Sequence, residues 1–244
     1  QEARYYRSRF PEFARIAKRV ITVSEFSKVD IVEQFGVPPD AIDVVYNAPD
    51  AIYLQGAATA RDAGRRFTAA RPYFLFVGSL HPRKNLEGLL KAFELYRARG
   101  GEYELLIVGA GMWTASETNH DGVHYAGRLG REELAEVMRE AEGLVFVPWF
   151  EGFGVPIVEA FASGVPVIAS NTTAMPEVCG GAAAALVNPA NANEIAEAMT
   201  LLETDGSLRN RAIKAGLARA SEFSWDDSAR RLMESIEKVI AGHA

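Results

Sequence analysis

The stretch that decides the fold is Leu144-Val-Phe-Val-Pro-Trp-Phe-Glu-Gly-Phe-Gly-Val-Pro-Ile-Val-Glu159, because it joins a strand, a turn and a helix start. Residues Leu144 to Val147 are apolar, as in a buried strand, and the glycine-rich residues up to Gly154 indicate a turn. Pro156 suits the first turn of a helix, where its missing N–H costs little. Backbone N–H groups at such a helix start, with the positive end of the helix dipole, favour an anionic ligand such as a phosphate.

Two glutamates flank this helix start. Glu151 lies on the turn, and Glu159 lies within the first two turns of the helix. A carboxylate accepts hydrogen bonds from paired hydroxyls, and a nucleotide sugar offers such pairs on its sugar and on its ribose. One carboxylate for each ring is therefore one interpretation. The other is two solvated glutamates beside a helix start, and the spacing alone does not separate the two.

Strand-like and helical patterns alternate along the chain. Predicted strands are Arg19 to Ser24, Ile42 to Tyr46, Tyr73 to Val77, Tyr103 to Val108, Val123 to Ala126, Leu144 to Val147, Val165 to Ala169 and Ala184 to Val187. Predicted helices are Glu25 to Phe35, Leu86 to Ala98, Arg131 to Ala141, Ile157 to Ala162, Asn193 to Glu203, Ser207 to Glu222 and Trp225 to Ala241. Apolar strands that alternate with helices are typical of an α/β fold, a Rossmann-like parallel sheet covered by helices on both faces.

Two adjacent cations follow the strand Tyr73 to Val77. They are Arg83 and Lys84 in Gly78-Ser-Leu-His-Pro-Arg-Lys-Asn85, and they should lie on the same rim of the sheet as the glutamates, where ligands of parallel sheets bind. Such a pair suits a diphosphate, although a solvated pair in a surface turn is the common alternative. Gly109-Ala-Gly111 fits an ordinary turn.

The composition fits a soluble globular protein without a metal centre. The chain has 244 residues, a net charge of −6, four histidines without metal-ligand spacing and one cysteine, Cys179, which excludes a disulfide within the chain. The acidic balance argues against nucleic-acid binding. No signal-peptide pattern and no apolar run of roughly 20 residues is present, so a cytoplasmic location is predicted.

The first twenty residues are basic and aromatic. Six of them are cationic, against two glutamates, and Tyr, Phe and Ile side chains are interleaved. Such a segment can make a peripheral contact with an anionic membrane, here through residues 1–20 at the inner face of the membrane. The alternative is an ordinary helix with a solvated basic face.

Three motifs together resemble the donor-binding half of family 4 retaining glycosyltransferases. They are Phe76-Val-Gly-Ser-Leu-His-Pro-Arg-Lys-Asn85, the run Pro148 to Ser170 with its E-x7-E spacing, and Met175-Pro-Glu-Val178. The resemblance implies a GT-B architecture of two Rossmann-like domains. It divides this chain into a remnant of the acceptor-side domain (1–50), a linker (51–71), the donor-binding domain (72–224) and a helix that returns toward the acceptor-side domain (225–244).

The resemblance also implies roles for individual residues. Glu151 would be catalytic, contacting the transferred sugar, and no metal or other cofactor would be required. Ser79 stands where many relatives carry Arg, so Arg83 is expected to take that role or the phosphate contact to be weaker. The implied donor-binding residues are Ser79, Arg83, Lys84, Arg128, Leu129, Gly152, Phe153, Gly154 and Glu159.

The implied activity is transfer of a hexose from a nucleoside-diphosphate sugar to a saccharide or lipid-linked acceptor, with retention of anomeric configuration, in polysaccharide biosynthesis. Pro82-Arg-Lys-Asn85 and Phe223-Ser-Trp225 resemble enzymes that use GDP-mannose, with a UDP-sugar as the other option. The chain lacks an initial Met and the first part of such an enzyme, so we expect a donor-binding part with little activity alone. The alternative is a non-catalytic nucleotide-sugar-binding or protein-interaction module.

Overall fold

The computed structural model describes residues 2–54, 62–110 and 120–241, with side chains described from residue 9 onward. Gly111, His243 and part of the predicted linker therefore lie outside the described residues. The chain divides into two compact units, one formed by Gln1–Ala48 with Phe223–Ala244 and the other by Pro49–Glu222. The functional domain boundaries that the sequence suggests stay a prediction.

Among the described residues, the smaller unit holds two parallel strands and three α-helices. Its strands are β1 (Val20–Thr22) and β2 (Ile42–Val44), and its helices are α1 (Glu2–Ile16), α2 (Glu25–Phe35) and α9 (Trp225–Ala241). The predicted strand Arg19 to Ser24 is shorter in the structure because Ser24 instead caps α2, its hydroxyl accepting a hydrogen bond from the Ser27 N–H at 3.0 Å.

Asp43 on β2 ties α9 to the strands of the smaller unit. Its carboxylate accepts hydrogen bonds from Arg19 Nε at 2.5 Å, Ser235 Oγ at 2.7 Å and Lys238 Nζ at 2.8 Å. These donors, Arg19 above all, hold the pKa of Asp43 well below its usual range.

The larger unit is a six-stranded sheet in which every pair of neighbouring strands is parallel. Its strands are β3 (Tyr73–Val77), β4 (Glu104–Val108), β5 (Val123–Gly127), β6 (Gly143–Phe146), β7 (Val167–Ser170) and β8 (Ala185–Val187). Its helices are α3 (Leu86–Ala98), α4 (Arg131–Glu140), α5 (Val155–Ala162), α6 (Met175–Cys179), α7 (Ala192–Thr204) and α8 (Gly206–Ala220). The predicted fold class is confirmed.

Several element ends of the larger unit differ from the sequence prediction by one or two residues, and two differences have a clear physical reason. The strand predicted over Val165 to Ala169 begins at Val167, since Pro166 has no N–H to donate to a sheet ladder. The helix α6 was not predicted, because five residues are too few to show a helical period.

The core of the larger unit is built around β3, whose five residues are all buried. Phe74 and Phe76 belong to a cluster with Phe93 and Tyr96 of α3 and Met199 of α7. Because side chains of a strand alternate between the two faces, Tyr73, Leu75 and Val77 fill the opposite face. Burial on both faces explains why this strand is apolar throughout.

The order of the strands in this sheet is β5-β4-β3-β6-β7-β8. The chain therefore runs from β3 outward to β5, returns to lie beside β3 as β6, and continues outward on the other side. This reversal is a topological switch point, and the carboxyl ends of β3 and β6 on either side of it are where parallel sheets of this kind bind ligands. Gly109 permits a close approach at this rim, because a Cβ there would lie 1.8 Å from the Gly78 carbonyl oxygen.

The described parts of the stretch 51–71 pack within the larger unit. Residues Ala51–Leu54 and Arg65–Phe67 form 3-10 turns. The Glu140 carboxylate accepts hydrogen bonds from the Ala63 N–H at 3.0 Å and the Gly64 N–H at 2.8 Å. These bonds hold the segment against the end of α4.

Candidate functional site

The loops that follow β3 and β6 are joined at the switch point. The Trp149 N–H donates to the Arg83 carbonyl at 2.9 Å. Asn85 Nδ2 donates to the carbonyls of Val147 at 3.0 Å and Pro189 at 2.9 Å, which connects the two loops with the segment after β8. Asn85 is buried and adopts a left-handed conformation with φ of 59°, which asparagine tolerates better than most residues. No sequence pattern predicts this bridging role of Asn85.

Arg83, Lys84 and Glu151 form a charged cluster across these loops. Arg83 Nη1 donates to Glu151 Oε2 at 2.8 Å and to the Phe150 carbonyl at 3.3 Å, and Lys84 Nζ is bonded to the same Oε2. The Lys84 ammonium also lies 4.8 Å from the centre of the Phe146 ring. The structure thus brings together three residues that the sequence predicted to share one rim.

Two of the three side chains in this charged cluster are largely buried. The side chain of Lys84 is only 9% exposed and that of Glu151 17%, whereas that of Arg83 is 43% exposed. Burial lowers the pKa of Lys84, and the bond to Glu151 opposes that shift. The Glu151 carboxylate therefore supports the charged form of the lysine when no anionic ligand is bound.

The glycine-rich turn leads directly into α5. Gly154 precedes the helix with φ of 92°, and a Cβ there would lie 2.9 Å from Met175 Cε. Phe153 is buried and Gly152 is half-buried. The end of the Met175 side chain could move aside, but a residue with a Cβ rarely adopts φ of 92°, so a larger residue at position 154 would strain the turn.

Glu159 belongs to a second cluster, most of which the sequence analysis missed. Burial first, and then the charge of Asp50, raise the pKa of Glu159 to about 7. Asp50 accepts hydrogen bonds from the Ile52 N–H at 3.1 Å and from Arg131 Nη2. Burial first, and then the charge of Glu159, raise the pKa of Tyr53 above its usual range. Asp50 and Tyr53 went unnoticed because Asp50 directly precedes the segment 51–71, which was predicted to be a linker, and Tyr53 lies within it.

The remaining predicted residues lie along the same carboxyl edge of the sheet. Ser79 follows β3 and is exposed. Arg128 and Leu129 follow β5, which is two strands away from β3 at the edge of the sheet, and Arg128 is exposed whereas Leu129 is half-buried. Their assignment to a ligand stays a prediction.

The segment after β7 adds hydroxyl groups that the sequence analysis did not single out. The Ala174 N–H donates to the Glu151 carbonyl at 3.5 Å, so this segment touches the glycine-rich turn. The buried hydroxyls of Ser170, Thr172 and Thr173 have no hydrogen-bond partner among the described residues, and Thr173 has φ of 55°. Unsatisfied buried groups and left-handed residues other than glycine are costly, and they concentrate at functional sites.

Neither a metal-binding cluster nor a membrane-spanning helix is present among the described residues. Within residues 2–54, 62–110 and 120–241, no group of three or more His, Cys, Asp and Glu side chains is arranged to hold a metal ion. Of the helices in these same ranges, none combines the length and the apolar character needed to span a membrane.

Comparison with solved structures identifies the class of fold. The Anabaena protein HepE, in a crystal structure with UDP and glucose, matches with a TM-score of 0.78 over 92% of this chain and 64% of its own, at 20% identity. This degree of identity shows the fold alone, which is that of GT-B glycosyltransferases.

The chain belongs to the family described as glycosyl transferases group 1, whose model matches residues 61–219. It is 32% identical to O-antigen chain mannosyltransferase B of Escherichia coli, covering 92% of this chain and 61% of that protein. It is 33% identical to the MMP alpha-(1->4)-mannosyltransferase of Mycolicibacterium hassiacum, covering 93% of this chain and 56% of that protein. The chain thus spans less than two thirds of these relatives, and the family resemblance of its motifs is confirmed.

Proposed function

We propose that the larger unit binds a nucleoside-diphosphate sugar at its switch point, as the donor-binding part of a retaining hexosyltransferase. The observation that carries this proposal is the cluster of Arg83, Lys84 and Glu151, which joins the loops after β3 and β6 beside the start of α5. The proposal includes the domain assignments made from the sequence, with the acceptor-side remnant at 1–50 and the returning helix at 225–244.

The chemistry of the site supports a diphosphate ligand. Arg83 and Lys84 supply two cations beside the turn that precedes α5, and the N-terminus of a helix favours an anion. The diphosphate gains negative charge as the glycosidic bond breaks, and fixed cations and helix N–H groups stabilise that charge. These groups supply what a metal ion would otherwise contribute, so we propose that transfer is independent of metal.

The two glutamates have different surroundings, which supports different roles. Glu151 lies among the cations, where it can accept hydrogen bonds from the hydroxyls of the transferred sugar. Glu159 lies in the cluster with Asp50 and Tyr53, where its ionised form can accept hydrogen bonds from the ribose hydroxyls.

The relatives favour mannose as the sugar. Two mannosyltransferases are about one third identical to this chain, and one of them acts on O-antigen chains, which supports GDP-mannose and a saccharide or lipid-linked acceptor in polysaccharide biosynthesis. HepE holds UDP and glucose, which keeps a UDP-sugar as the second candidate donor.

Calorimetry with GDP-mannose, UDP-glucose, GDP and UDP tests the donor site. We expect one nucleotide series to bind, and we expect Lys84→Ala and Glu159→Ala to weaken that binding at least tenfold. Lys214→Ala and Glu197→Ala are matched controls, because both residues are exposed on α8 and α7 and lie away from the switch point. The absence of binding by any of the four nucleotides at millimolar concentration would refute the proposal.

We also propose that residues 1–20 contact the anionic inner face of the membrane while the protein stays cytoplasmic. The support is the apolar exposure of α1, in which Phe10 and Phe13 are each 47% exposed and Ile16 is 67% exposed, among basic residues. Flotation with vesicles that contain anionic lipid should carry the protein upward. A variant with the six basic residues neutralised should remain at the bottom, and equal flotation of both would contradict the proposal.

A further inference from the structure

Glu151 and a bound diphosphate would compete for the same two cations. Arg83 Nη1 and Lys84 Nζ both bond to a single oxygen of Glu151, Oε2. If the proposed donor site is correct, the diphosphate must attract these cations away from the carboxylate, at least in part. The mostly buried Glu151 then needs another source of hydrogen bonds, because a buried carboxylate without partners is strongly destabilising.

The nucleoside-diphosphate sugar and the free nucleoside diphosphate differ in whether they can donate hydrogen bonds to Glu151. A nucleoside-diphosphate sugar carries two negative charges on its phosphates, and its sugar hydroxyls can donate hydrogen bonds to Glu151. The free nucleoside diphosphate has no such hydroxyls at that end. Its terminal phosphate, like other phosphate monoesters with a second pKa of about 6, carries additional negative charge at neutral pH.

We propose that Glu151 is a specificity-determining residue that disfavours the free nucleoside diphosphate relative to the nucleoside-diphosphate sugar. This inference rests on the proposed function. With the sugar present, hydroxyls replace the cations as partners of Glu151. With the sugar gone, the carboxylate faces an additional phosphate charge and competes for Arg83 and Lys84, which weakens product binding. The residue that contacts the reacting sugar thereby also promotes release of the leaving group.

Glu151→Gln tests this role, because it removes the charge while the side chain keeps its size and an oxygen that accepts hydrogen bonds. Dissociation constants of GDP and GDP-mannose, with UDP and UDP-glucose in parallel, would be measured by calorimetry at pH 7.5 and low salt. We expect the variant to bind the free diphosphate about tenfold more tightly, while its affinity for the sugar nucleotide stays equal or falls. The tighter binding of the free diphosphate by the variant, relative to the wild type, should diminish below about pH 6, where the terminal phosphate loses its second charge. If Glu151 had only a structural role, Glu151→Gln would weaken the binding of both nucleotides together, and this effect would not show such a pH dependence.

Arg83→Gln provides a second test, in which the affinity for the free diphosphate should fall and not rise. The exposed side chain of Arg83 makes this position tolerant of substitution. Removing one cation should weaken the more highly charged free diphosphate more than the sugar nucleotide, which increases the discrimination. Glu197→Gln, an exposed change on α7, should leave both constants unchanged. Wild-type binding of both ligands, with no tightening of the free diphosphate in Glu151→Gln, would overturn this inference and leave the donor site intact. Failure of the wild type to bind any nucleotide would overturn the proposed function as well.

Discussion

Ionised Glu159 should destabilise the larger unit above neutral pH, and Glu159→Gln should relieve that cost. Burial and Asp50 raise the pKa of Glu159 from 4.5 to about 7. Because the pKa in the folded protein lies above that in the unfolded chain, the folded state holds this proton more tightly. The resulting stability is fully present below about pH 4.5 and is lost as pH rises through about 7.

The magnitude follows from the size of the shift. A difference of one pKa unit corresponds to 1.36 kcal/mol, so a rise from 4.5 to about 7 corresponds to about 3 kcal/mol. Glu159 is only partly buried and Arg131 neutralises part of the charge of Asp50, which reduces the measurable effect to about 1–3 kcal/mol. Glutamine keeps the size of the side chain but does not ionise.

Urea unfolding of the wild type and of Glu159→Gln, at intervals between pH 5 and 8.5, measures this effect. The free energy of unfolding of the variant minus that of the wild type should rise by about 1–3 kcal/mol from the acidic to the alkaline end. Glu197→Gln should give a flat difference, because that residue is exposed. Because the chain contains two units, which can unfold separately, two optical probes must give coincident transitions before a single free energy of unfolding is used. A difference for Glu159→Gln that does not change with pH would refute the reasoning.

Two further predictions concern the fold. Gly109→Ala should destabilise the larger unit by more than about 3 kcal/mol, because its Cβ would lie 1.8 Å from the Gly78 carbonyl oxygen. Gly36→Ala is the control: its Cβ would meet open space, so it bears only the strain of the left-handed conformation and should cost about 1 kcal/mol. Equal losses of stability for the two variants in urea unfolding would contradict the close approach at Gly109. Asp43→Asn should destabilise the smaller unit by about 1–3 kcal/mol at neutral pH. The loss should begin to shrink only as pH falls below 3.8, the ordinary pKa of the carboxyl, because the pKa in the folded protein lies well below that value. An identical loss in urea unfolding at pH 7 and pH 3 would contradict a role for the charge.

The sheet of the larger unit could be predicted because its strands carry their own signal. A strand such as Tyr73–Val77 is buried on both faces, so every position is apolar and the run stands out from its neighbours. Element ends were less predictable, since they depend on single hydrogen bonds such as the one between Ser24 and Ser27. The short helix α6 has no period to detect.

The sequence could place the charged residues of the candidate site on one rim, but it could not predict their pairings, and it missed Asp50, Tyr53 and the bridging role of Asn85. Arg83 and Lys84 could be assigned to the rim because parallel strands end at one edge, and the sequence shows which residues follow which strand. Which groups bond to each other depends on the strand order, and the reversal between β3 and β6 is what brings the cations to Glu151. The spacing of residues along the chain does not indicate that reversal of strand order.

The bonds from both cations to Glu151 change which ligand the proposed diphosphate site should prefer. Two cations alone would bind the free nucleoside diphosphate more tightly than the sugar nucleotide, because the product carries more charge. An enzyme built in that way would be inhibited by its own leaving group. A carboxylate bonded to both cations reverses the preference, provided that only the sugar nucleotide can supply hydroxyls to it. On the proposed function, the bonds of Arg83 and Lys84 to one oxygen of Glu151 would link recognition of the sugar to release of the diphosphate.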